Sequence, residues 1–252
     1  MLLASYIAAA GIVGSGCIGD LRGSSKGLLN IPECVKTSLS LMLFCERKVP
    51  IPRSSSIVRN QPLVYVLGGT QDSLEWKFQR VASLYKYGLA WKILLARVPG
   101  ITVFSPELGR NLTNDEWAVS RLEAFGVRRG DIRFIEVGPG WFGTLTEAKE
   151  VSRYVKRYGS PPLILVSAPY HTKRARLAFS NSLGPEYQEL FVYGSGEKAS
   201  FLTLLNEYLK LITYKYFLIP SQSLISIIGP IFYSISDRIE EIKEVTRYRS
   251  AR

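Results

Sequence analysis

The chain has 252 residues, 46% of them hydrophobic, and a formal net charge of +11 at pH 7; this length supports one sizeable core and this composition excludes wholesale disorder. The excess of Lys and Arg suits an anionic partner, either a phosphorylated small molecule or an acidic membrane surface. Nucleic acid is disfavoured, because the basic residues are scattered and neither zinc-finger spacing nor an aromatic RNA-recognition signature is present.

Leu2 to Gly19 carries no charged residue and approaches the roughly 17–25 apolar residues that a membrane-spanning helix needs. No Lys or Arg precedes it, so it does not match a secretory signal with a basic start. A membrane anchor and a glycine-rich leader both remain open. Asp20 to Gln61 mixes Gly, Ser, Pro and charge around one short apolar run, Leu39 to Phe44, and reads as a linker with room for one helix. The domain that follows is therefore expected to fold without residues 1–60. The cysteines Cys17, Cys34 and Cys45 are odd in number and form no C-x-x-C pair, which argues against a disulfide framework.

From Pro62 the pattern becomes regular. Short aliphatic runs recur at Leu63–Leu67, Ile93–Ala96, Ile132–Ile135, Leu163–Val166 and Glu189–Tyr193. Segments with helical spacing lie between them, such as Val81, Leu84 and Tyr85, or Ala148, Val151, Ser152 and Val155. Strands that are continuously hydrophobic and alternate with helices imply a parallel sheet covered on both faces. The expected fold over residues 61–215 is a Rossmann-like three-layer α/β domain whose five parallel strands run in the order 3-2-1-4-5. Tyr216 to Ile235 is again uncharged, but Pro220, Gly229 and Pro230 interrupt it. It reads as a hydrophobic hairpin or interfacial segment ahead of a charged tail, Asp237 to Arg252.

Ligands of such sheets bind beyond the carboxyl ends of the strands. After the first strand comes Gly68-Gly69-Thr70-Gln71-Asp72. Paired glycines permit a sharp turn and close backbone approach, and the following helix start offers N–H groups to an anion. The plainer reading is a tight turn with Asp72 or Ser73 as the helix cap. After the fourth strand comes Ser167-Ala168-Pro169-Tyr170-His171, with Arg174 three residues beyond the only histidine. That spacing puts imidazole and guanidinium on one helical face, able to bind an anion and to move a proton near neutral pH. The alternative is a surface histidine beside a structural ion pair of Arg174. A single histidine excludes any multi-histidine metal site, no metal ligands are assigned, and no motif names a cofactor.

Several of these pieces occur in a familiar order. They are Val66-Leu67-Gly68-Gly69; then Arg80, Ala82, Leu84, Tyr85 and Gly88; then Glu116 ahead of Phe125-Gly126-Val127. Thr144, Glu147 and Ala148 follow, and finally Leu165-Val166-Ser167-Ala168-Pro169-Tyr170-His171 with Arg174-Ala175. The series, from about Pro62 to Tyr214, resembles domain-of-unknown-function family 218, the YdcF/SanA/ElyC-like family. Ala96-Arg97-Val98-Pro99-Gly100 stands where the family more often ends its second strand in Ser-Gly-Gly. The resemblance implies a Rossmann-like fold and a link to the cell envelope, including peptidoglycan or polyprenyl lipid-carrier metabolism, without an established reaction. It also marks Arg80, Glu116, Thr144, Glu147, His171 and Arg174 as polar site positions.

Together these readings make His171, Glu147 and Glu116 the candidate catalytic residues, and Gly68, Gly69, Arg80, Thr144 and Arg174 the candidate ligand-binding residues. All are expected to converge at one edge of the sheet. Plainer roles stand beside them: a helix-surface carboxylate for Glu116, an interhelical salt bridge for Arg80, and a T-x-x-E capping box joining Thr144 to Glu147. The expected function is an envelope-associated enzyme acting on a phosphorylated or anionic small molecule or lipid carrier, with a membrane-associated and a cytoplasmic location both left open. The alternative is a non-catalytic module for a nucleotide-type ligand such as S-adenosylmethionine.

Overall fold

The computed structural model describes residues 33–49, 62–138 and 143–221. The apolar stretch Leu2 to Gly19, residues 222–235 of the second uncharged stretch and the charged tail lie outside the described residues. The chain divides into two compact units, residues 1–211 and 212–252. In the second, a π-helical turn covers Tyr214–Leu218, and Ser221 Oγ donates to the Leu218 carbonyl at 2.8 Å. Among the described residues no helix is long and apolar enough to cross a membrane.

In chain order the elements begin with α1 (Glu33–Leu43), β1 (Leu63–Val66), α2 (Gln71–Lys86), β2 (Lys92–Arg97), β3 (Ile101–Ser105), β4 (Arg110–Thr113) and α3 (Asn114–Ala124). They continue with β5 (Ile132–Glu136), α4 (Gly143–Arg157), β6 (Leu163–Ser167), α5 (Thr172–Leu183), β7 (Leu190–Gly194) and α6 (Phe201–Thr213). The main sheet is β5-β2-β1-β6-β7, every pair parallel. Counted along its own five strands, this is the 3-2-1-4-5 order. The antiparallel β3–β4 hairpin is an addition that the hydrophobic pattern did not announce.

Why these strands pair in parallel is visible in β1. All four of its residues are buried, and successive side chains point to opposite faces. Val64 and Val66 join Phe78 and Val81 of α2 and Trp117 and Leu122 of α3 in one layer. Tyr65 points the other way, where its ring meets Phe179 of α5 at 5.7 Å between centroids. With both faces covered, neither can carry the polar alternation of a half-exposed strand.

At the start of the domain the helix allowed for between Asp20 and Gln61 is present as α1, and the linker reading fails. Residues 33–49 are not a linker, because they pack on the β7 side of the sheet. Leu43 is fully buried in a cluster with Leu204 and Leu211 of α6. Arg47 and Val192 exchange both backbone hydrogen bonds, at 3.0 and 2.9 Å, as an antiparallel bridge on β7. The apolar run Leu39 to Phe44 had too few repeats to show a helical period, yet it supplies the side chains that cover this edge.

Candidate functional site

The turn after β1 is held from three directions. Thr70, rather than Asp72 or Ser73, is the N-cap of α2, and its hydroxyl accepts from the Ser73 N–H at 3.3 Å. Lys77, one turn further along α2 and only 2% exposed, donates from Nζ to the carbonyls of Leu67 at 3.1 Å and Gly68 at 2.7 Å. From the opposite layer, Glu147 of α4 accepts from the Tyr65 hydroxyl at 3.0 Å and from the Gly68 backbone N–H. The space beside these glycines is tight, and a side chain there would have to push a neighbouring side-chain end aside. A Cβ on Gly68 would stand 3.1 Å from Glu147 Oε1, and one on Gly69 would stand 2.9 Å from Lys77 Nζ.

Beyond β6 a second polar group assembles. The 3-10 turn Pro169–His171 delivers His171 to Thr144, with His171 Nε2 and Thr144 Oγ1 3.3 Å apart. Arg174 Nη1 donates to the same Thr144 oxygen at 2.8 Å, while Arg174 Nε and Nη2 grip the buried Glu207 of α6 at 2.9–3.2 Å. A guanidinium can only donate, so Thr144 Oγ1 is its acceptor; with a second lone pair and one proton to spare, the same hydroxyl pairs with Nε2 of His171 in either ring tautomer. A third carboxylate, Glu197 in the loop after β7, accepts from Ser73 Oγ at 2.8 Å and from the Tyr170 hydroxyl at 2.7 Å.

Burial pushes these groups in opposite directions, as it disfavours whichever form is charged. His171 falls well below its ordinary value, by desolvation first and then by the positive charges of Arg174, Lys77 and Lys210. Glu147 rises through desolvation, against the opposing bonds from Tyr65 and Gly68 and the charges of Lys77 and Arg174. Lys77 drops to about 8, again through burial, although Glu197 and Glu147 pull it upward.

Of the sequence-assigned residues, Gly68, Gly69 and Glu147 meet at the β1 turn, and Thr144, His171 and Arg174 meet one helical turn away on α4. Two do not join them. Glu116 closes a capping box with Thr113 at the start of α3 and forms a two-pronged bond with Arg110 at 2.6 and 2.8 Å. That pairing holds its carboxyl down at about 2. Arg80 is exposed on α2 and donates from Nε to the Gly194 carbonyl at 2.8 Å. Arg174 takes the ion-pair role with Glu207 and is only 7% exposed, so its charge is committed within the protein. Nor is the Thr144–Glu147 capping box formed, since α4 begins at Gly143 and Thr144 is already inside it; both side chains bond across to other elements.

Lys77, Tyr65, Glu197 and Glu207 were not singled out from the sequence. Lys77 had a readable signal: Ser73, Lys77, Val81 and Leu84 recur at helical spacing, which places a lysine on an otherwise core-facing stripe. The others are joined by contacts between residues distant in the chain.

The Gly68–Gly69 turn also lines a cavity of about 280 Å³, with Val66, Leu74, Leu95, Trp117 and Phe134 as apolar walls and Thr70, Asn114 and Asp115 as polar neighbours. Among the described residues no group of three or more His, Cys, Asp or Glu side chains could hold a metal ion. In comparisons with known proteins, no family model and no curated sequence matches the chain.

Proposed function

We propose that the chain is an enzyme acting on a phosphorylated or otherwise anionic small molecule or lipid carrier, bound at the carboxyl edge of the sheet. One observation carries this reading: Gly68 and Gly69 line the apolar cavity and also stand against the buried Glu147 and Lys77. A ligand with an apolar body in the cavity brings its anionic head over the turn, where the first N–H groups of α2 lack helical partners. The reacting part then lies toward His171 and Glu147. Burial keeps His171 from taking on charge and raises the Glu147 carboxyl, opposed shifts that suit a base beside an acid. The resemblance to family 218 supports a substrate from envelope lipid-carrier metabolism and contact with a membrane.

The second reading is a non-catalytic module for a nucleotide-type ligand. What favours it is self-sufficiency, because Arg174 is held by Glu207 and Lys77 by two carbonyls. Mass spectrometry of small molecules released from the purified full-length protein tests the first reading, with a phosphorylated compound expected. Replacing His171 with Ala should then abolish its turnover and leave its binding within a few-fold. Unchanged turnover in that variant would transfer the chain to the second reading, and an uncharged ligand would overturn both.

A further inference from the structure

The helix α6 is apolar on two faces. One face carries Leu204 and Leu211, which are 2% and 8% exposed and pack with Leu43 of α1. Glu207 lies on that same side and holds Arg174. At about 100° per residue, Leu202 and Leu209 fall within about 20° of each other and nearly opposite the buried pair. They are 62% and 51% exposed, with the partly exposed Leu205 between them on the same side. Leucines exposed singly are ordinary and need no partner. An aligned stripe on a helix already packed through its other face is different, because a surface helix normally turns polar residues outward. The outer stripe of α6 is therefore a surface with something further to meet.

We propose that the outer face of α6 lies on an anionic lipid surface, with Leu202, Leu205 and Leu209 entering the boundary between headgroups and acyl chains. The inference rests on the membrane contact in the reading above and assigns it a surface. Charge selects the partner. From Lys198 to Ile219 the cations are Lys198, Lys210 and Lys215, and the one carboxylate is Glu207, which is buried and gripped by Arg174. Lys210, next to Leu209, bonds to that carboxylate at 3.0 Å while its side chain stays 45% exposed. Acidic headgroups supply the charge that this helix lacks, and lysines beside an apolar stripe suit a helix lying in a membrane interface. A second copy seated on the same stripe would bring lysine to lysine, with no exposed carboxylate of α6 to offset them. In the sequence the helix leads on to Tyr216 to Ile235, which carries no charged residue. A bilayer on the outer face would stand about 10 Å, one helix diameter, from the Arg174–Glu207 pair on the inner face.

The test is co-sedimentation of the full-length protein with phosphatidylcholine vesicles, with and without phosphatidylglycerol, joined to a depth measurement on α6. Leu202→Gln combined with Leu209→Gln should weaken binding to the anionic vesicles by about tenfold or more, since two leucine side chains no longer enter the lipid. The melting temperature should not move, because both positions are exposed. Lys198→Gln combined with Lys215→Gln should also weaken anionic binding, by roughly tenfold, and leave binding to phosphatidylcholine alone unchanged. For the depth measurement, Cys17→Ser, Cys34→Ser and Cys45→Ser remove the native thiols. A fluorophore is then attached through Leu209→Cys or, as a control, through Glu123→Cys on the exposed side of α3. Brominated acyl chains should quench the first and spare the second, which decides the matter even where other segments dominate the affinity. Vesicle binding with position 209 unquenched overturns the inference and leaves membrane contact standing. Absence of binding to either vesicle removes the membrane contact and this inference with it. A lipid-free dimer in sedimentation equilibrium that the leucine substitutions dissociate overturns it in favour of a second copy.

Discussion

Because the folded chain resists charging His171, acid should cost it stability in a defined window. The unfolded chain takes up a proton below pH 6.5, while the folded chain, whose value lies well below 6.5, refuses it. Stability conferred by neutral His171 is thus present above pH 6.5 and lost as the pH falls. Lys77 acts at the other end of the scale. Between about 8 and 10.5 the unfolded chain holds a proton that folded Lys77 has already released. Stability should rise with pH across that interval, by on the order of 3 kcal/mol. Urea denaturation at a series of pH values checks both: the low-pH decline should shrink in His171→Gln, and the high-pH rise should vanish in Lys77→Met. Curves running parallel to the unsubstituted chain in both windows would refute the environments assigned here. As the only histidine, His171 also gives an isolated nitrogen NMR signal, which should report an uncharged ring at neutral pH and below pH 6.5.

At the scale of elements, the parallel sheet was legible because each strand is a local hydrophobic run bounded by helices. Leu63–Val66 and Leu163–Ser167 are buried at every position, and no other fold class covers both faces of five such strands so economically. The site was legible only in part. Two T-x-x-E sequences occur, Thr113 to Glu116 and Thr144 to Glu147, and local spacing cannot rank them. The first makes the capping box, because Thr113 directly precedes α3 and Glu116 stands three residues on. The second does not, because α4 already begins at Gly143, which leaves Thr144 inside the helix with its hydroxyl turned to Arg174. Where the helix begins decides such cases, and a single local window does not mark it. Accordingly, Thr113→Ala should destabilise the protein by about 1 kcal/mol, the usual cost of a lost cap. Hydrogen exchange should place the loss at the first turn of α3, and an unaltered exchange rate there would count against the cap.

For the molecule as a whole, the decisive question is where the folding unit begins. The sequence suggested that residues 1–60 could be removed, since no period is visible in them. The structure assigns residues 33–49 to the fold through several independent ties. Leu43 is completely buried, and the Cys45 N–H donates to Thr172 Oγ1 at 2.8 Å. Lys173 Nζ donates to the Met42 carbonyl at 3.0 Å, and the Val49 N–H reaches the Tyr193 hydroxyl at the same distance. The Arg47–Val192 bridge meanwhile occupies backbone groups of β7 that would otherwise offer an open edge. A chain starting at residue 50 should therefore melt at a lower temperature and over a broader range than the full chain, with β7 amides losing protection first. Leu43→Ala in the full chain separates packing from chain length and should cost about 2–5 kcal/mol, as for other large-to-small changes in a core. These ties also land on Thr172 and Lys173, immediately after His171, so the truncation should shift the histidine ring signal even where the sheet survives. If the shortened chain keeps both its melting temperature and the His171 signal, residues 33–49 are an appendage and the domain begins at Pro62.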